Sequence, residues 1–320
     1  MNQDTTMTAS PTPPAFDAAE TARRLPYAAL VEAIQIAAVD YAHRRIASPE
    51  RLVVPLNSGG VMLSMPATAP DIAIHKLVNV CPGNRARGWP TIHGQVTVCD
   101  ADSGVPLFML DGPTVTGRRT AAVSMLGIRL FASTAPRDVL VIGTGTQALN
   151  HVEAIGELFP AAKVRVQGSS PARAAAFCEA HAAHVPGGLV PLLEARVPES
   201  VDLVITATTS KTAVYDEAPR AARLVIGVGA FTADAVEIGA RTVLGSVRYV
   251  DDLAGAAHEA GDYIQAGVDW ASVSSLADAI QSAGASGACA VVQGGQPVML
   301  KSVGCAAWDL AACRVARSMI

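Results

Sequence analysis

Charge, aromatic rings and long apolar runs are all scarce in this chain. Charged residues make up 16% of its 320 residues and aromatics 4%, while half are apolar. Low charge with that much apolar content excludes a solvated, disordered chain and implies a closely packed core of small aliphatic side chains. The net charge of −4 leaves no basic field for a nucleic acid partner. No uninterrupted apolar run reaches the roughly 18 residues that suggest a membrane span. The six cysteines include no Cys-x-x-Cys pair and have no histidine at zinc-ligand spacing, so no metal site is expected. Reduced thiols in a cytoplasmic protein are the expectation. Residues 1–16 carry Pro11, Pro13 and Pro14 but neither a basic start nor an apolar stretch, which reads as a disordered tail and not a secretory signal.

What is present begins with one glycine-rich segment. Asp138-Val139-Leu140-Val141-Ile142 reads as a buried strand, and Gly143-Thr144-Gly145-Thr146-Gln147-Ala148 as a turn running into a helix. Gly143 suits the tight turn, Gly145 the close approach of a pyrophosphate, and Ala148 the close packing of helix on strand. The helix to about Phe159 would point its free N–H groups and positive dipole end at the phosphates.

The texture changes on either side of that motif. Upstream, residues 26–46 have helical spacing, and short β-like runs follow at 52–56, 60–65, 71–80, 94–100 and 105–111. The last two are joined by an Asp100–Gly104 hairpin turn, and strands in such close succession predict a mostly antiparallel sheet. A helix is expected over 120–133. Downstream, strands at 139–142, 163–167, 189–191, 201–206, 224–228 and 247–250 alternate with helices, notably at 171–183 and 271–281. This is the rhythm of a doubly wound parallel sheet. A last strand is expected at 297–302 and a closing helix at 304–318. The fold class is therefore α/β, with the dinucleotide fingerprint mid-chain and a ligand cleft at the domain junction.

The second strand of a dinucleotide fold that takes NAD ends in Asp or Glu, which binds the ribose 2′-hydroxyl. Here it runs into Gln167-Gly168-Ser169-Ser170-Pro171-Ala172-Arg173, without a carboxylate. Ser169, Ser170 and Arg173 suit a 2′-phosphate, while either serine can equally cap the next helix. NADPH is the expected cofactor, with NADH the weaker ligand.

Two further stretches complete a pattern: Ile74-His75-Lys76-Leu77-Val78-Asn79-Val80-Cys81-Pro82-Gly83-Asn84 with Gly88-Trp89-Pro90-Thr91-Ile92-His93-Gly94, and Leu110-Asp111-Gly112 to Thr116-Gly117-Arg118-Arg119-Thr120-Ala121-Ala122. Together with the glycine turn, the chain resembles the ornithine cyclodeaminase/μ-crystallin family over nearly its whole length after residue 20. The resemblance implies a Rossmann domain (residues 123–299) inserted into an α+β substrate-binding and dimerisation domain (17–122 plus 300–320), and a homodimer. It implies that Lys76 is the active-site lysine and Arg119 the carboxylate-gripping arginine, with Arg51 a second such arginine and Thr91 a substrate contact. It further implies that Thr206, Ala207, Thr208 and Val228 lie along the cofactor and that Ser302 and Gly304 return to its nicotinamide end.

One departure matters. Where the cyclodeaminases of the family carry a loop Asp, this chain reads Gly227-Val228-Gly229-Ala230-Phe231-Thr232-Ala233-Asp234. The lost acid argues against cyclodeamination and for the family's ketimine reductases, which reduce cyclic imines bearing a carboxylate to L-proline and L-pipecolate. Ala230 and Phe231 would then wall an apolar pocket for the ring. An ornithine cyclodeaminase, an open-chain alanine-type dehydrogenase and a non-catalytic NADPH binder remain the alternatives.

Overall fold

The computed structural model describes residues 12–194, 196–284 and 294–320. Two sheets organise it. Strands β1 (Leu52–Pro55), β2 (Val61–Thr68), β3 (Ile72–Val80), β4 (Ile92–Asp100) and β5 (Pro106–Asp111) form an antiparallel sheet in chain order. Its strands alternate buried and half-exposed residues: Ile72, Ile74, Lys76 and Val78 of β3 all point inward, against the helices Gly112–Phe131 and Ala306–Arg317. A buried lysine thus occupies one step of an otherwise apolar row.

The second sheet is parallel throughout. It holds β6 (Asp138–Ile142), β7 (Lys163–Gln167), β8 (Leu189–Pro191), β9 (Leu203–Thr206), β10 (Leu224–Gly227), β11 (Val247–Val250), β12 (Val273–Ser275) and β13 (Val298–Lys301), in the order β12-β11-β13-β10-β9-β6-β7-β8. Strand β6 lies between β7 and β9, so the winding reverses there, the place where open α/β sheets bind ligands beyond the carboxyl ends of their strands. Strand β13, last in sequence, is inserted between β10 and β11.

The helix Gly112–Phe131 joins the two bodies. Asp111 caps it, its carboxylate accepting from Thr114 N at 2.9 Å, with Pro113 in the first turn. Its start lies so close to the sheet that a Cβ on Gly112 would come within 2.7 Å of Gly94. Farther along, a Cβ on Gly127 would strike Leu300 of β13 at 2.4 Å. The helix begins eight residues before the sequence expectation, because Pro113, Gly117 and a run of β-branched residues mask its helical pattern.

Several expected boundaries move. The division at 122/123 falls inside this unbroken helix, and the one at 299/300 inside β13. Of the expected tail, residues 1–11 lie outside the described residues, but Ala15 pairs with Met109 on the free edge of β5 and Phe16 packs on Phe108. An open strand edge with an aromatic beside it is enough to fix those residues. The helix expected over 271–281 is a short turn, then β12, then a helix from Leu276 to Gly284, because Ser275 leaves the sheet edge by exchanging caps with Asp278. Among the described residues, no helix is long and apolar enough to cross a membrane.

Candidate active site

The segment after β13 and the helix that follows bring the scattered cations together. Asp309, on the inner face of the helix Ala306–Arg317, is fully buried. Its Oδ1 accepts from Lys76 Nζ at 2.9 Å and from Arg119 Nε at 3.2 Å, and its Oδ2 accepts from Lys76 Nζ at 3.1 Å. Lys76 is 1% exposed and Arg119 6%. Burying either cation without a partner would cost several kcal/mol, so one carboxylate holds both in place. Burial pulls the Lys76 pKa down to about 8; the Asp309 carboxylate pulls it back up, and the neighbouring Arg119 pushes it down again. Two cations on one carboxylate leave a net positive charge.

Gly304 sits between the two arginines. At φ +78 it takes a left-handed turn, and a Cβ there would come within 2.5 Å of Arg119 Nη1. Its carbonyl accepts from Arg51 Nη2 at 2.6 Å. That same nitrogen donates to Val303 O at 3.3 Å and pairs with Glu259 at 2.9 Å. Burial pushes the Glu259 carboxyl up to about 7, against the pull of Arg51. The turn itself is pinned by Asp251, whose carboxylate accepts from Ser302 Oγ, Val303 N, Gly304 N and Trp308 Nε1 at 2.7–3.1 Å. Arg51, Glu259 and Gly304 border a cavity of about 160 Å³ that Tyr41, Asp252 and Cys305 also line.

The terminal nitrogens of Arg119 differ from its Nε. Neither Nη1 nor Nη2 has a protein partner among the described residues, and neither is sealed from the surroundings. Asp309 thus fixes the arm while the fork stays free, as bidentate binding of a ligand carboxylate requires. Arg118 faces elsewhere: it donates to Leu25 O, pairs with Glu153 and lies over the Tyr27 ring.

The glycine turn has the shape a dinucleotide needs. Gly143 has φ +134, and a Cβ there would strike Ala207 O at 2.5 Å, so the turn is drawn tight against the end of β9. A Cβ on Gly145 would meet nothing within 4 Å, which marks open space over the turn. No side chain caps the helix Thr146–Leu158, so its leading N–H groups are left for a phosphate, and Ala148 is buried where helix meets strand. Behind the turn, His151 bridges to the central helix. Burial holds its pKa down to about 4, so it is neutral; Nδ1 donates to Gln147 O and Nε2 accepts from Ser124 Oγ. Thr144 packs beside Gly168 after β7. There Ser170 caps the helix Pro171–His181 through Arg173 N, and Arg173 Nη1 reaches Ser169 Oγ at 3.4 Å, with the arginine exposed. Cap and cation share one corner.

Other expected contacts turn out differently. Thr91 lies just before β4, its carbonyl accepting from Cys81 N, and no hydrogen bond joins its side chain to the lysine–arginine cluster. Ser302 is buried and spends its hydroxyl on Asp251, so its role is to shape the turn. Thr206 is fully buried at the end of β9, and in the segment after it Ala207 is buried and Thr208 half-buried. Val228 and Ala230 are buried in the loop after β10, whereas Phe231 is 38% exposed. Asp234 stays on the surface, paired with Lys211 at 2.6 Å, and does not replace the missing loop acid. Asp251 carries no signal in the sequence, and Asp309 is visible there only as an acid that follows Lys301-Ser302-Val303-Gly304 on the closing helix, without a role. A lone acid in the Ala-rich, buried turns of residues 306–312 is the signal that marks Asp309.

Residues 16–319 match the model of the ornithine cyclodeaminase/mu-crystallin family. A Delta(1)-pyrroline-2-carboxylate/Delta(1)-piperideine-2-carboxylate reductase of Azospirillum brasilense is 59% identical over 314 residues, 98% of each chain. Delta(1)-pyrroline-2-carboxylate reductase 1 of Burkholderia multivorans is 58% identical over the same length, again 98% of each. The fold matches that of Thermococcus litoralis Delta(1)-pyrroline-2-carboxylate reductase, solved with NADH and L-proline, with a TM-score of 0.83 at 23% identity over 95% of this chain and 96% of that one. The chain therefore belongs to the ornithine cyclodeaminase/mu-crystallin family.

Proposed function

We propose that the protein reduces the C=N bond of small cyclic imino acids, converting Δ1-pyrroline-2-carboxylate and Δ1-piperideine-2-carboxylate to L-proline and L-pipecolate at the expense of NADPH. The observation that carries this reading is the Arg119 fork, anchored at Nε and free at both terminal nitrogens within a buried cluster of net positive charge. Such a cluster suits a substrate that brings one carboxylate. Relatives at 58–59% identity carry the matching reductase names.

The dinucleotide would lie over Gly143–Ala148, with its pyrophosphate at Gly145 and the start of the helix Thr146–Leu158. When bound there, it supplies the hydride. Arg119 holds the substrate carboxylate and so fixes which carbon faces the crevice. Arg51, with Nη2 occupied by Gly304 and Glu259, offers its remaining edge as a second contact. Lys76, buried and able to exchange a proton near pH 8, either bonds the carboxylate or hands a proton to the ring nitrogen. Buried Ala230 itself carries no carboxyl, the Glu237 carboxylate beside it is taken up by backbone donors, and a protonated imine accepts hydride without a loop acid. The preference for NADPH rests on Arg173 beside Ser169 and Ser170, where no carboxylate opposes a 2′-phosphate. A cytoplasmic homodimer is the assembly we propose, as for the archaeal alanine dehydrogenase dimer of the same fold. Leu52 and Val53, exposed on the edge strand β1, fit such a contact.

The test is consumption of NADPH with each cyclic imine, repeated with NADH and with pyruvate plus ammonia. Turnover of at least one imine is expected, with NADPH preferred; Arg173→Ala should lose about tenfold in NADPH affinity, as befits one charge-assisted contact, and leave NADH unchanged. Inactivity with both imines would remove the reductase reading. Ammonia release from ornithine with NAD would replace it with cyclodeamination.

A further inference from the structure

A second buried cluster lies at the carboxyl end of the parallel sheet. Glu237 is fully buried. Its Oε1 accepts from Thr208 N at 2.6 Å and Thr208 Oγ1 at 3.0 Å, and its Oε2 from Gly229 N at 2.7 Å and Ala230 N at 2.9 Å. Thr208 follows β9 and Gly229–Ala230 follow β10, which are neighbouring strands. One carboxylate therefore joins two loops that the paired strands no longer hold together.

The loops touch as well. A Cβ on Gly229 would come within 2.0 Å of Thr208 O and 2.8 Å of Glu237 Oε1, so only glycine fits there. The carboxylate is itself held from behind. Asp262 Oδ1 accepts from Glu237 N at 2.6 Å and Ile238 N at 2.8 Å. Lys301, at the end of β13 and fully buried, pairs with Asp262 at 2.7 Å and lies 3.8 Å from Glu237. On the other side, Ala207 O presses against Gly143 of the phosphate turn. A continuous line of contacts runs from the glycine turn through Thr208 and Glu237 to Ala230.

We propose that Glu237 is the positioning residue that sets the cofactor-facing loop after β9 in register with the pocket-facing loop after β10, and so fixes how far the dinucleotide's reactive end lies from the imine pocket. This rests on the reductase reading for the identity of that pocket. Glu237 is not a proton carrier. Four donors fill its two oxygens, leaving no lone pair directed at a substrate. A glutamine would keep the shape but turn an N–H donor toward two of those N–H or O–H donors, opening one loop from the other.

Two readouts test the clamp. In the unliganded protein, amide hydrogen exchange of Glu237→Gln should rise about tenfold in residues 206–210 and 227–231 together, the size expected for losing about one buried hydrogen bond, with the antiparallel sheet unchanged. In the same variant the Kd for NADPH, read by its fluorescence, should rise by about tenfold, and kcat should fall more than the imine KM rises. Unchanged exchange in both segments, or a normal Kd in a protein that is merely less heat-stable, would overturn the proposal. If Glu237→Gln does not fold, Thr208→Val removes one donor only; it should still speed exchange across the gap in residues 227–231, and normal exchange there would also refute the clamp. A wild-type protein that bound NADPH but reduced no imine would overturn the reductase reading alone, since the exchange result stands without it.

Discussion

Two buried carboxylates, Asp309 and Glu237, do opposite things. Asp309 faces two cations and leaves charge over: Arg119 keeps a free fork and Lys76 a titratable ammonium. Glu237 faces four N–H or O–H donors, and its nearest cation is shared with a second acid. The first cluster is short of one negative group and so has work for a ligand. The second is complete and holds backbone still. The same chemical parts thus give a binding site or a brace, according to whether donors or acceptors are in surplus.

The comparison is broken most severely by Asp309→Asn. Two buried cations would lose their counter-charge, and stability should fall by about 3–5 kcal/mol, readable as a drop in the urea midpoint, together with nearly all imine turnover. A smaller change would mean that solvent reaches the cluster and shares the load. Arg119→Ala is the gentler cut, because Lys76 still satisfies Asp309. Stability should change little, NADPH binding should persist, and kcat/KM for the imine should fall by about 2–5 kcal/mol in transition-state terms. Loss of NADPH binding instead would show that the fork serves the cofactor.

The smallest effect concerns pH and sharpens the contrast. The folded-state pKa of Lys76 lies near 8, below the ordinary value of 10.5. Between those two values the unfolded chain binds more protons, so the contribution of Lys76 to stability rises with pH through that window and is at its lowest below about 8. Activity should run the other way if the ammonium is needed. The kcat/KM profile should fall above about pH 8, and Lys76→Met should lose that limb and keep only the titration of the imine itself. An identical limb in the variant would assign it to the substrate.

Much of this was legible beforehand, for local reasons. The strand pattern of β3 and β4, the glycine turn and the bare end of β7 are all written in neighbouring residues. So is the missing loop acid, and the structure leaves Asp234 on the surface. What stayed hidden depends on long-range pairing. Lys76 and Asp309 are 233 residues apart, and no periodicity links them. Ser302 reads as a cofactor contact by motif, yet its hydroxyl is taken by Asp251, 51 residues earlier. The helix from Gly112 starts earlier than its sequence pattern suggests because its first turns are filled with residues of poor helix propensity, and only its cap and its close contact with Gly94 show why it starts there.

The place of β13 has a consequence in time. A ribosome extrudes β10 and β11 well before the strand that belongs between them, so until about residue 301 has emerged the parallel sheet carries a gap bounded by two open edges. Asp309 follows only eight residues later. A nascent or truncated chain therefore lacks the sheet's keystone and the counter-charge for Lys76 and Arg119 at once. Completion of the fold and arming of the site become a single late event, and an incomplete chain is exposed to proteases and aggregation, not released as a half-working enzyme.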